Sequence, residues 1–231
     1  MKKLYCLSLF IFLITSCSSS KTLRFSKKPD DFLKTESLED FLSVNKNPKV
    51  VLRVNDALFA VTEDENADYL YNAIENQLLA SGFVVRDRQL FNKIIGSSGN
   101  SVDYEVLKNK SNTDLIIELT KIDPQVLYST NKYYSKNNEE KIHSAYSYER
   151  YGASVEFKVV LINSNEFAGI YKFNYTPCID GCVVSKSINQ LIKERKQKEK
   201  RNVIGYEGVE KNELEVFIKD ATRKLVAEMR K

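Results

Sequence analysis

Four cysteines, one histidine and two acidic runs are the residues of this 231-residue chain whose chemistry needs to be asked about first. Cys17 closes the run Ile14-Thr15-Ser16-Cys17: an aliphatic residue, two small ones and a thiol. Met1-Lys2-Lys3 and the apolar stretch Leu4 to Ile14 precede it, which is the layout of a lipoprotein signal. The apolar run has the length of a signal-peptide core and falls short of the ~20 residues that span a bilayer. The sequence therefore predicts a leader over 1–16 and lipidation at Cys17, which would hold the protein on a membrane without crossing it. An ordinary signal peptide that happens to contain a cysteine is the plainer alternative. Ser18 stands where an aspartate would signal inner-membrane retention, so the outer membrane, facing the periplasm, is expected; surface exposure stays open.

Cys178 and Cys182 flank Ile179-Asp180-Gly181. In an oxidising compartment two thiols across an Asp-Gly turn predict a small disulfide loop. Free thiols and a metal site are the alternatives, and a metal would have to recruit His143, the one histidine. His143 beside Ser144, Glu139 and Glu140 makes a poor hydrolase: no G-x-S-x-G elbow presents a nucleophile. It reads as a surface loop residue. Glu63-Asp64-Glu65 is a local carboxylate cluster, but paired-carboxylate hydrolysis needs two groups ~5–10 Å apart across a cleft. The loop Gly96-Ser97-Ser98-Gly99-Asn100-Ser101 continues into Val102-Asp103, where a phosphate loop needs Lys and then Ser or Thr, so it reads as a connector. No catalytic residue, metal or cofactor is expected.

Two segments suit contacts better than catalysis. Lys193 to Arg201 is dense in Lys and Arg and follows Ile188, Leu191 and Ile192. It reads as the solvated end of an amphipathic helix, or as a contact for anionic headgroups or a partner. Residues 123–150 carry Tyr128, Tyr133, Tyr134, Tyr146 and Tyr148 with few aliphatics between them. They are expected to add little to the core, and Tyr133, Tyr134, Tyr146 and Tyr148 are the candidate partner-binding residues. Half-buried sheet tyrosines and a membrane-inserting hairpin are the competing readings; the polar run Ser135 to Glu140 breaks the alternation that a barrel strand needs.

The elements that must carry these residues follow from periodicity. Residues 17–47 read as the lipidated cysteine and a flexible tether, with a short helix capped by Ser37. A single globular periplasmic domain is expected over 48–231. Lys49 to Val54 predicts a buried strand. Ala67, Leu70, Tyr71, Ile74 and Leu78 predict a helix stopped at Gly82. Phe83-Val84-Val85 predicts a strand, and Asp87 caps a helix bearing Leu90, Phe91 and Ile94. A short helix around Val106 and Leu107 leads to a strand over Asp114 to Leu119. Val155 to Leu161 and Ile170 to Tyr175 predict a hairpin across Asn163-Ser164-Asn165. A helix from about Asn212 shows Leu214, Phe217, Ile218, Ala221 and Leu225 on one stripe. The order β-α-β-α-α-β-β-β-α predicts an α+β (mixed α/β) fold, a central mixed sheet flanked by helices.

The charge is nearly balanced: 35 Lys and Arg against 31 Asp and Glu, net +4, which does not suggest nucleic acid. At 42% hydrophobic residues the chain is too apolar for a disordered protein.

Gly82-Phe83-Val84-Val85-Arg86-Asp87-Arg88-Gln89-Leu90 and Asn112-Thr113-Asp114-Leu115-Ile116-Ile117, with the order of elements and the lipobox, resemble the curli secretion lipoprotein (CsgG) and the lipoprotein activators of penicillin-binding proteins (LpoB). The resemblance implies a non-enzymatic envelope lipoprotein, a partner-binding accessory factor in assembly, secretion or cell-wall synthesis. Its partners would be the membrane, through the anchor, and an envelope protein, with homo-oligomerisation open. A carboxylate-dependent lipid-anchored hydrolase and a subunit of an oligomeric outer-membrane channel are the alternatives.

Overall fold

A computed structural model describes residues 20–54, 68–96, 112–201 and 208–231. Its elements are β1 (Lys21–Leu23), β2 (Asp31–Lys34), α1 (Glu36–Val44), β3 (Lys49–Val54), α2 (Asp68–Ala80), β4 (Val84–Val85), α3 (Arg88–Gly96), β5 (Leu115–Thr130), β6 (Lys132–Tyr134), β7 (Glu140–Ile142), β8 (Tyr148–Leu161), β9 (Glu166–Tyr175), β10 (Cys182–Val184), α4 (Ile188–Arg201) and α5 (Lys211–Met229). The fold is α+β. A six-stranded sheet runs β2-β9-β8-β5-β3-β4, and a four-stranded sheet runs β10-β1-β6-β7.

The large sheet is mixed because β3 lies parallel to both β4 and β5, while β5, β8, β9 and β2 alternate in direction. The middle of β3, Val50-Val51-Leu52, is apolar on both sides because both sides are covered there. Val50 and Leu52 face the main core with α1, α2 and α5, and Val51 faces a smaller cluster with Phe91 of α3, Ile116, Val160 and Ile162. The start of the β3–β5 register is held by two reciprocal bonds: the Lys49 N–H donates to Asp114 Oδ2 at 2.8 Å, and the Asp114 N–H donates to the Lys49 carbonyl at 2.8 Å.

Local signals act where the sequence places them. Gly82 ends the turn after α2 at φ +86°, a conformation that costs glycine little. Asp87 caps α3 by accepting the Leu90 N–H at 2.8 Å. The β8–β9 turn puts Asn165 at φ +54°. The predicted stripe of α5 is buried, with Met229 and Val226 extending it.

Two expectations need correction. The tether does not extend to residue 47, for the chain is already sheet at Lys21, and Leu23 and Phe25 are buried. Helix α1 begins at Glu36 after Thr35, and no side chain caps it; the Ser37 hydroxyl donates to Glu166 at 3.1 Å instead. The leader 1–16, Cys17, Glu63-Asp64-Glu65, Ser97 to Ser101 and the Val106–Leu107 helix lie outside the described residues.

Candidate functional site

The small sheet covers the stretch of β5 and β8 that extends past the main core. Their ladder extends from Leu115↔Leu161 to Thr130↔Tyr148, with an irregularity between Asp123 and Val126. Beyond that point the hairpin's Tyr128 and Tyr148 pack against another layer, with α4 beside it. That layer is β10-β1-β6-β7, whose inward Leu23 and Val184 form a second core with Phe25 and Tyr148. Tyr128, Tyr133 and Tyr146 pack against this core, as do Ile188 and Leu191 of α4.

Strand parity sorts the tyrosines. Adjacent residues of a strand point to opposite faces, so Tyr133 and Tyr134 of β6 separate. Tyr133 turns inward onto Tyr148, with ring centroids 6.4 Å apart, and Tyr146 meets Tyr148 edge-on at 5.1 Å. Tyr148 is 3% exposed. Its burial pushes its hydroxyl above the ordinary phenol range, and burial does the same for Tyr146. The expectation that 123–150 adds little core is therefore corrected: Tyr148 is a member of the second core, and Tyr128, Tyr133 and Tyr146 pack around it. The amphipathic rings of these tyrosines pack beside Leu23 and Val184 in that core.

Tyr134 alone of the four lies on the outer face. Its ring stacks under the Arg24 guanidinium at 4.7 Å, and its hydroxyl donates to Glu140 at 3.0 Å. Glu140 also accepts Lys132 at 2.8 Å. The Lys132 and Tyr134 hydrogen bonds hold its carboxyl below the usual carboxylate value. Thr22 pairs with both Val183 and Tyr134, so the three share this face. Val183 is 70% exposed, and so is much of Ile142 at 65%.

The predicted disulfide is present, Cys178 to Cys182. It closes the turn that leads from β9 into β10, where Cys178 takes φ +55° and Gly181 φ +106°. A Cβ on Gly181 would sit 2.7 Å from the Thr22 side chain, so the loop is pressed onto β1. Beside it lies an open cleft of about 700 Å³ floored by Tyr175, Phe217 and Val216. Asp220 at its rim is an ion-pair member: burial pulls its carboxyl up, but Arg223 and Lys224 outweigh that and leave it below the ordinary value. His143 sits in the β7–β8 connection, its N–H donating to the Asn131 carbonyl at 2.8 Å and its ring edge-on to Tyr146. Glu139 pairs with Lys141 at 3.6 Å. Among the described residues no group of three or more His, Cys, Asp or Glu is placed to hold a metal.

The basic run lies on α4. Arg195 reaches Glu149 of β8 at 3.7 Å, and Glu194 is tied to Lys186 at 2.9 Å. Sequence reasoning missed β1, β2, β6, β7 and β10, each three or four residues long and too short for a period to register.

No protein-family model matches the chain, and no curated protein does. Solved structures with some similarity include the PelC dodecamer from Paraburkholderia phytofirmans: TM-score 0.39, 9% identity, over 87% of this chain and 96% of that one. A single-substitution variant of the same PelC dodecamer gives 0.40 and 10%, over 88% and 100%. A PDZ domain protein from Parabacteroides distasonis gives 0.32 and 10%, over 82% of this chain and 38% of that one. Similarities of this size assign no function. Among the described residues no helix is long and apolar enough to cross a membrane.

Proposed function

We propose that the chain is a lipid-anchored lipoprotein of the cell envelope, at the periplasmic face of the outer membrane, that binds an envelope protein partner and catalyses nothing. It serves as an accessory factor in assembly, secretion or cell-wall synthesis, in keeping with the resemblance to the curli secretion and penicillin-binding-protein-activator lipoproteins. The observation that carries this reading is the run Ile14-Thr15-Ser16-Cys17 behind a positive and then apolar leader. The outer face of the small sheet is the partner surface. There Val183 and Ile142 are exposed beside Tyr134, a mixture of aliphatic and aromatic groups rimmed by charge that suits protein contact.

The test has two arms. Labelled palmitate should enter the wild-type chain and not Cys17→Ser; equal labelling of the two sinks the anchor. Partner capture from envelope extracts should fall at least tenfold in Tyr134→Ala/Ile142→Ser/Val183→Ser, with cooperative unfolding retained and its midpoint only about 2–4 °C lower. Undiminished capture removes the partner from this face.

A further inference from the structure

If Cys17 carries the acyl chains, the bilayer is close to one identifiable edge of the fold. Only Ser18, Ser19 and Ser20 separate that cysteine from Lys21, the first residue of β1. Four extended residues reach at most about 14 Å. Lys21 pairs with Val184, and β1 runs antiparallel to β10, so the edge where the chain enters the sheet is the edge where β10 leaves it. Three residues later, Ser185, Lys186 and Ser187, the chain enters α4. The anchor and the start of α4 are therefore neighbours.

Helix α4 presents two unlike sides. Ile188, Leu191 and Arg195, at i, i+3 and i+7, face the protein: the first two pack on the small core, and the third meets Glu149. Asn189, Ile192, Lys193 and Lys196, at i, i+3, i+4 and i+7, lie on the adjoining flank, about 120° round the helix, and line one shallow depression together. Lys193 and Lys196 are exposed, while Ile192 is half-buried beside them. Glu194 lies on another side of the helix, paired with Lys186. An apolar residue flanked by lysines with long stems suits a helix lying along a headgroup layer.

We propose that the side of α4 bearing Ile192, Lys193 and Lys196 docks on the anionic phosphate headgroups of the bilayer that holds Cys17. This rests on the lipid-anchor reading above. The anchor supplies attachment, and α4 supplies orientation. It lays the small-sheet edge against the membrane, so that the partner face is presented at a defined height and tilt.

The experiment uses the mature lipidated chain reconstituted in phosphatidylcholine vesicles, with and without phosphatidylglycerol, and reads amide hydrogen exchange over 188–201. On the anionic vesicles this helix should exchange several-fold more slowly than on neutral ones. Each basic residue near an anionic surface contributes about fivefold in partitioning, so Lys193→Glu/Lys196→Glu should abolish the difference. High salt should shrink it in the wild type. Equal exchange on the two membranes, or a difference that survives the double reversal, overturns the docking. The intact mass of the same sample separates the two readings. A chain without acyl mass sinks the anchor and the docking with it, whereas an acylated chain with identical exchange sinks the docking alone.

Discussion

Tyr148→Ala and Tyr134→Ala remove the same atoms from two positions fourteen residues apart in the chain, and the structure gives them losses of very different size. Because the residue type is shared, most of the unfolded-state contribution cancels between the two variants. Tyr148 is 3% exposed and touches Tyr133 and Tyr146 ring to ring. A buried tyrosine hides about 150–250 Å², and at about 25 cal/mol per Å² that is roughly 4–6 kcal/mol. The unfolded chain already hides part of that area, which brings the loss to about 3–4 kcal/mol. Tyr134 loses a guanidinium stack with Arg24 and one hydroxyl bond to Glu140, both at the surface. Together these are worth about 1 kcal/mol. Urea unfolding followed by circular dichroism separates the two. With a slope of about 2 kcal/mol/M, the midpoint should drop by about 1.5 M for Tyr148→Ala and about 0.5 M for Tyr134→Ala. Midpoints that fall together would refute the sorting of these rings by strand parity. A harmless Tyr148→Ala would mean the small sheet is not a cooperative part of the fold.

Opening the disulfide with Cys178→Ser/Cys182→Ser releases a loop of five residues, for which the chain-entropy relation gives about 2 kcal/mol. Thermal unfolding should shift down by about 4–8 °C at this chain size, and an unchanged midpoint would show that packing of the 177–181 turn on Thr22 suffices. Gly152→Ala should cost at least about 2 kcal/mol by overpacking, since a Cβ there would lie 2.3 Å from the Tyr175 carbonyl oxygen and 2.5 Å from the Tyr128 ring. A calorimetric midpoint within a degree of wild type would contradict that close approach.

The amino-acid sequence on its own determined whatever a local rule encodes. The period of α2 and α5, the cap at Asp87, the stop at Gly82, the β8–β9 turn and the pairing of Cys178 with Cys182 all depend on residues within a few positions of one another. Chemistry of that range is written in spacing. The tertiary structure decided what distant segments do for each other. Lys21-Thr22-Leu23 has no period to read; it becomes a strand because Val184 lies on one side of it and Tyr134 on the other. Residues 123–150 look like a surface because tyrosine is amphipathic and tolerates either environment. Only the second sheet assigns Tyr133, Tyr146 and Tyr148 to a core and leaves Tyr134 outside. The same fact shortened the tether, since Leu23 is buried in one cluster with Tyr148, 125 residues along the chain, a grouping no window along the chain contains. Burial is a property of the assembled layers, and a side chain that is content on both sides of an interface does not announce which one it will take.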